Sequence, residues 1–198
     1  MTTPRPKVYL AGPEVFLRNA VEAGAAKVAL CAQYGLEGKY PLDAQLALND
    51  LTLAERAYAI ARANEGLIRE CDAVIANLTP FRGPGMDTGT AYEVGFMRGL
   101  GKPVFGYSNH HLPFFDRVRK FNDDPLTHRP GAEPTMAFED SERMGVEQFG
   151  LNENLMIVSA IHDSGGAMVI GRTRRRDRYT DLVAFEECAE YVAKLLIK

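Results

Sequence analysis

The apolar pattern changes period along the chain. Between Asp72 and Leu78 nearly every residue is apolar and some are β-branched, the pattern of a parallel strand covered on both faces. Lys7 to Ala11 and Val104 to Tyr107 read as further strands, and a short second strand precedes Tyr40, where Pro41 rules out a regular central strand. Between the strands the apolar positions take helical spacing. Asn19 to Gln33 predicts a helix stopped by Gly35. Leu51 to Glu70 predicts a longer one, with Thr52 and Glu55 as a capping pair. A third helix begins at Ala91 and stops at Gly101 and Pro103. The last, Thr180 to Leu196, carries Leu182, Phe185, Ala189, Val192 and Leu196 on its apolar face. His110 to Pro134 lacks a period and predicts a mobile surface loop with a short helix at Asp116–Lys120. In Phe149–Val158, Asn152 and Asn154 precede an expected strand. Gly165 to Gly171 reads as a hairpin arm or strand.

Strand–helix alternation around a buried central strand argues for an α/β protein with a doubly wound, mainly parallel sheet, a flavodoxin-like three-layer sandwich. At 198 residues one domain is expected over 1–198, with an extended C-terminal portion from about residue 160. A net charge of −3 and a sequence pI of 5.8 argue against a general nucleic-acid binder. Three scattered cysteines without a CxxC motif suggest neither zinc nor a disulfide framework, and free thiols fit a cytoplasmic setting. No apolar run is long enough for a signal peptide core or a membrane span.

The candidate chemistry follows the buried strand. Thr79 to Thr90 gathers prolines, glycines, Arg82 and Asp87, in the position where open α/β sheets bind ligands. It is neither GxGxxG nor GxxxxGK[ST], so neither a dinucleotide fold nor a P-loop is indicated. Asp87 lies between Gly85 and Gly89, and Glu93 follows six residues later. One reading makes Glu93 a nucleophile and Asp87 its proton-handling partner. The plainer reading makes Thr90-x-x-Glu93 a capping box and Asp87 a turn former. At the first strand's end, the turn at Gly12-Pro13 delivers Tyr9 and Phe16, and core packing alone would also explain Tyr9. Asp43 and Gln45 are loop residues, and the Gln45 amide can donate to and accept from a nucleobase edge. Asn64 lies near the end of its helix. The run Arg172–Arg178 could hold phosphate or RNA, but charge runs more often face water or a subunit. The pair His110-His111 lacks further ligands at metal-binding spacing.

YLAGPEVF, PLDAQ and CDAVIANLTPFRGPGMDTGTAYEVGFMRGLGKPV together resemble the nucleoside 2′-deoxyribosyltransferase family. The resemblance is good over about Lys7–Tyr107, weaker around FGLNENLMI, and absent from the tail. It implies transfer of a 2-deoxyribosyl group between nucleobases without metal or other cofactor, with a deoxynucleoside and a free base as partners. It implies Glu93 as nucleophile, Asp87 as the residue handling the base's proton, and Tyr9 as orienter of the nucleophile. Gln45, Asn64, Gly12 and Phe16 fall on the substrate side. Asn64 stands where shorter members carry aspartate. Asn154, or the nearby Asn152, resembles an asparagine lent by a neighbouring subunit, which implies a homo-oligomer with shared sites. Two other readings stay open: a hydrolase of deoxynucleoside 5′-monophosphates, and a nucleotide-sensing module without turnover. The acidic Glu14 in a serine-free first loop argues against the former, because it would repel a 5′-phosphate. A receiver domain would want more acidic residues there than Glu14 alone.

Overall fold

In a computed structural model, residues 4–43 and 48–197 are described. The elements in chain order are β1 (Lys7–Ala11), α1 (Ala20–Gln33), β2 (Glu37–Lys39), α2 (Leu53–Glu70), β3 (Ala73–Asn77), α3 (Thr88–Gly99), β4 (Val104–Ser108) and α4 (Phe114–Phe121). Three short strands follow, β5 (Thr127–His128), β6 (Phe138–Glu139) and β7 (Gly145–Val146), then α5 (Leu155–Asp163), β8 (Met168–Ile170) and α6 (Val183–Leu196). The main sheet has the order β2-β1-β3-β4-β8, and all four of its pairings are parallel. That is the flavodoxin-like order, whose switch point lies between β1 and β3.

Strand parity divides the core. Val8, Leu10, Ala73, Ile75, Phe105 and Tyr107 face α1 and α6, where they meet Cys31, Phe185, Cys188, Ala189 and Val192. The alternate residues Tyr9, Ala11, Val74, Ala76 and Val104 face the other way and pack with Ile68, Val94, Met97 and Ile161 of α2, α3 and α5. Tyr9 is therefore aimed at the layer containing α3. At Gly106 an added Cβ would lie 2.7 Å from Ile161 Cδ1, so the glycine lets α5 settle on β4.

Several boundaries agree with the pattern reading. β1 spans the expected residues, Thr52 and Glu55 form a reciprocal capping box on α2, and Gly35 and Gly101 adopt positive φ after α1 and α3. Three places differ. The segment after Asn154 is a helix, α5, not a strand, because Asn154 caps it by accepting from the Met156 N–H at 3.0 Å. The expected surface loop His110–Pro134 holds its expected short helix, as α4, but also β5, which joins β6 and β7 beyond the loop in an antiparallel sheet. The loop is anchored by the buried ion pair Arg117–Glu153 at 2.8 Å. Finally, α3 starts at Thr88 rather than Ala91.

Candidate active site

The early start of α3 removes one plain reading of its acidic residues, the Thr90–Glu93 capping box. Asp87 is the N-cap: its Oδ2 accepts from the Thr90 N–H at 2.8 Å and the Thr90 hydroxyl at 2.9 Å. Thr90 is thus the third helical residue, and Glu93 lies a turn beyond the cap, so the Thr90–Glu93 capping box does not form. Thr90, Val94 and Met97 are buried along one face of α3, and Glu93 sits half-buried beside them. It meets the inward side chain of β1: the Tyr9 hydroxyl donates to Glu93 Oε1 at 2.5 Å.

The electrostatics follow from that placement. Burial pushes the Glu93 carboxyl up to about 7; the Tyr9 hydrogen bond pulls against this, and the charge of Asp87 adds to it. Burial, reinforced by the charge of Glu93, holds the Tyr9 phenol far above its usual range. Tyr9 therefore stays a donor at any working pH. It fixes one Glu93 oxygen and leaves Oε2 for another bond. The cap likewise uses only Oδ2 of Asp87. Two carboxyl groups, one with an ionisation near neutrality, thus meet at the sheet's ligand-binding edge.

The other expected residues are placed as follows. Gly12 ends β1, where a Cβ would lie 2.9 Å from Asn77 Cβ and 2.1 Å from Glu14 Oε2. Phe16 is exposed and stacks on Phe81, with ring centroids 5.3 Å apart. Asn64 is half-buried on α2, one residue before Glu65, which accepts from the hydroxyl of Tyr92, the neighbour of Glu93. Among the described residues no hydrogen bond joins Asn64 to Tyr9, Asp87 or Glu93. Gln45 lies outside the described residues. Asn154 is exposed, and its Nδ2 donates to Glu147 at 3.1 Å. The Asn152 carbonyl accepts from Arg117. Among the described residues no hydrogen bond joins either asparagine to Glu93.

Glu14 does not face a ligand. It is 1% exposed, and its Oε1 accepts from Lys27, from Asn77 Nδ2 at 2.8 Å and from the Tyr107 hydroxyl at 2.9 Å. The expected repulsion of a phosphate by Glu14 therefore has no basis: the carboxylate is turned into the core and matched by an ammonium.

Sequence reasoning missed an aromatic shelf beside the site. Phe81 stacks on Phe16 and meets Tyr179 edge-on at 6.3 Å. The Arg82 guanidinium lies over both Phe16 and Phe81, at 5.1 and 4.6 Å. Arg82 adopts φ +54° in a turn closed by the Phe81 N–H donating to the Gly85 carbonyl at 2.9 Å, a left-handed backbone uncommon outside glycine. Nothing in the local sequence pairs Tyr179 with this loop. Among the described residues no group of three or more His, Cys, Asp or Glu side chains is disposed to hold a metal ion.

The family model for nucleoside 2-deoxyribosyltransferases matches residues 8–156. The chain belongs to the nucleoside 2-deoxyribosyltransferase family. An uncharacterized protein of Schizosaccharomyces pombe is 33% identical over 171 residues, covering 83% of this chain and 81% of that one. A 2-desoxiribosyltransferase from Leishmania mexicana superposes with a TM-score of 0.56 at 31% identity, over 77% of this chain and 85% of its own. A conserved protein from Enterococcus faecalis V583, 18% identical with a TM-score of 0.53, shares the fold over 97% of this chain and 99% of its own. Family membership makes this chain a nucleoside-processing enzyme. Among the described residues no helix is long and apolar enough to cross a membrane.

Proposed function

We propose that the enzyme transfers a 2-deoxyribosyl group from one nucleobase to another through a covalent glycosyl-glutamate intermediate. The observation that carries this reading is the Tyr9–Glu93 hydrogen bond beside Asp87 at the carboxyl edge of β1 and β3. A glycosidic C1′–N bond breaks through an oxocarbenium-like transition state that a carboxylate below the ring stabilises. The free oxygen of Glu93 bonds to C1′ as the C1′–N bond breaks. Its electron pair leaves with the base, which takes up a proton handled by Asp87. The incoming base then attacks C1′ on the original face, returns the electron pair to Glu93 and gives up its proton, so configuration is retained overall. Splitting displacement into two inversions lowers each barrier. Phe16 and Phe81 offer apolar faces on which a planar base can stack. Asn154, exposed at the start of α5, is the group we assign to a neighbouring subunit's sugar hydroxyls.

A second reading, hydrolysis of deoxynucleoside 5′-monophosphates, is favoured by the inward orientation of Glu14, which leaves the first loop without an outward negative charge. A base-exchange assay separates the two. Protein is incubated with deoxyinosine or thymidine plus adenine, with the deoxynucleoside alone, and with a deoxynucleoside monophosphate. Deoxyadenosine in the first sample with little free base in the second is the expected result. Free base from the monophosphate alone would establish the hydrolase instead. Glu93→Ala should abolish exchange, a loss of about 10³-fold or more. Exchange surviving in that variant would remove Glu93 from the chemistry.

A further inference from the structure

Two features that the glycosyl chemistry leaves unused, the His110-His111 pair and the arginine run, meet in one place. They line a cleft of about 360 Å³ with Pro80, Gly83, Asn109, Arg117, Lys120, Thr173, Arg175 and Arg178. None of Tyr9, Asp87 or Glu93 lines it. The cleft is built rather than incidental. Buried Asn109 donates through Nδ2 to the carbonyls of Arg178 and Asp181, both at 2.9 Å, fixing the tail against the end of β4. The Tyr179 hydroxyl donates to the Pro80 carbonyl at 2.5 Å, fixing the same tail to the loop after β3.

Its charge is one-sided. No aspartate or glutamate lines it. The nearby carboxylates are occupied elsewhere: Asp181 accepts from Thr173 and the Val183 N–H, Asp116 pairs with Arg119, and Glu153 pairs with Arg117. Among the described residues no ion pair joins a carboxylate to Lys120, Arg175 or Arg178. His110 registers the field: burial and then the positive charges of Arg117, His111, Arg178 and Lys120 depress its imidazole. Cations gathered along one cleft with no lining carboxylate raise the local potential and attract an anion; Arg178, laid over the Tyr179 ring at 4.9 Å, is held in place there. The volume of the cleft suits a small molecule, and the acidic chain as a whole argues against a polyanion.

We propose that this cleft is a binding site for a small phosphorylated ligand, separate from the site at Glu93, with Lys120, Arg175 and Arg178 as its phosphate-binding side chains. Arginine forks match a phosphate's oxygens, and lysine adds a point charge. The proposal does not rest on the transferase reading, because binding is measured without turnover.

The test is isothermal titration calorimetry of the full chain with inorganic phosphate, adenosine 5′-monophosphate and uncharged adenosine. Phosphate and the monophosphate should bind, adenosine should bind at least tenfold more weakly than the monophosphate, and saturating deoxyinosine should leave monophosphate affinity unchanged. A monophosphate advantage over free phosphate of about tenfold or more assigns the ligand as a phosphomonoester, and comparable affinities assign free phosphate. The double variant K120A/R175A, altered only at exposed positions, should weaken anion binding by about tenfold or more. In the unaltered protein the His110 proton resonance should titrate at higher pH once phosphate is bound. No binding up to about 10 mM, equal affinity for adenosine, displacement by deoxyinosine, unchanged affinity in a folded double variant, or an unmoved His110 titration would each overturn the proposal.

Discussion

Under the proposed mechanism Tyr9 and Glu93 divide one task by ionisation. There Glu93 reacts as a carboxylate, and burial pushes its ionisation up to about 7, so turnover limited by glycosyl transfer should fall as pH drops through that value. The Tyr9 hydrogen bond favours the charged form. Tyr9→Phe should therefore move the inflection to higher pH and lower the rate at neutrality by about tenfold to a hundredfold. A pH profile of kcat checks both effects, and an unmoved inflection would reduce Tyr9 to packing. The pair was legible in the sequence only by resemblance. Periodicity put Tyr9 on a strand and Glu93 on a helix. What the residues alone could not give was the helix start, because Thr90-x-x-Glu93 and Asp87-x-x-Thr90 are both plausible caps, and only packing selects the second. Phe81 and Tyr179 were less legible still, since no local pattern encodes a contact between the central loop and the tail.

At the scale of the element, Asp87 caps α3, and the proposed mechanism gives it a second duty that substitution can separate from the first. Asparagine still accepts from the Thr90 N–H, so Asp87→Asn should keep stability close to that of the parent protein. It cannot exchange a proton as a carboxyl does, and transfer should slow by about 10² to 10⁴-fold. Asp87→Ala should lose the cap as well, at about 1 kcal/mol, which thermal melts of the two variants would resolve. The strands were readable because a parallel sheet buried on both faces leaves an apolar run that little else produces. α5 was not, because LMIVSAI is equally apolar as a buried strand or a buried helix. The sign that was available was Asn154, whose side chain closes the helix start.

Across the whole molecule, the buried cluster of Glu14, Lys27, Asn77 and Tyr107 ties the first loop to α1, β3 and β4. The Lys27 ammonium also lies 5.2 Å from the Phe185 ring of α6. Lys27→Met would leave the Glu14 charge uncompensated in the core and should cost about 3–5 kcal/mol in denaturant unfolding, with most of it recovered by adding Glu14→Gln. If Lys27→Met alone were neutral, the ion pair would have no structural part. The cluster also corrects a sequence inference at this scale: an acidic residue in a ligand-binding turn was read as facing the ligand, whereas its charge is answered from α1 beneath it.

The position of α6 has a consequence for synthesis. Phe185, Cys188, Ala189 and Val192 cover the same sheet face as α1, over β1, β3 and β4. While the chain is still being translated, the part of that face covered by α6 stays open to water after every strand of the sheet has been made. The family-matched segment, residues 8–156, emerges before β8 and the helix that seals its core. That core is therefore completed only once α6 has emerged, and until then the nascent protein presents an apolar surface of the kind that chaperones hold.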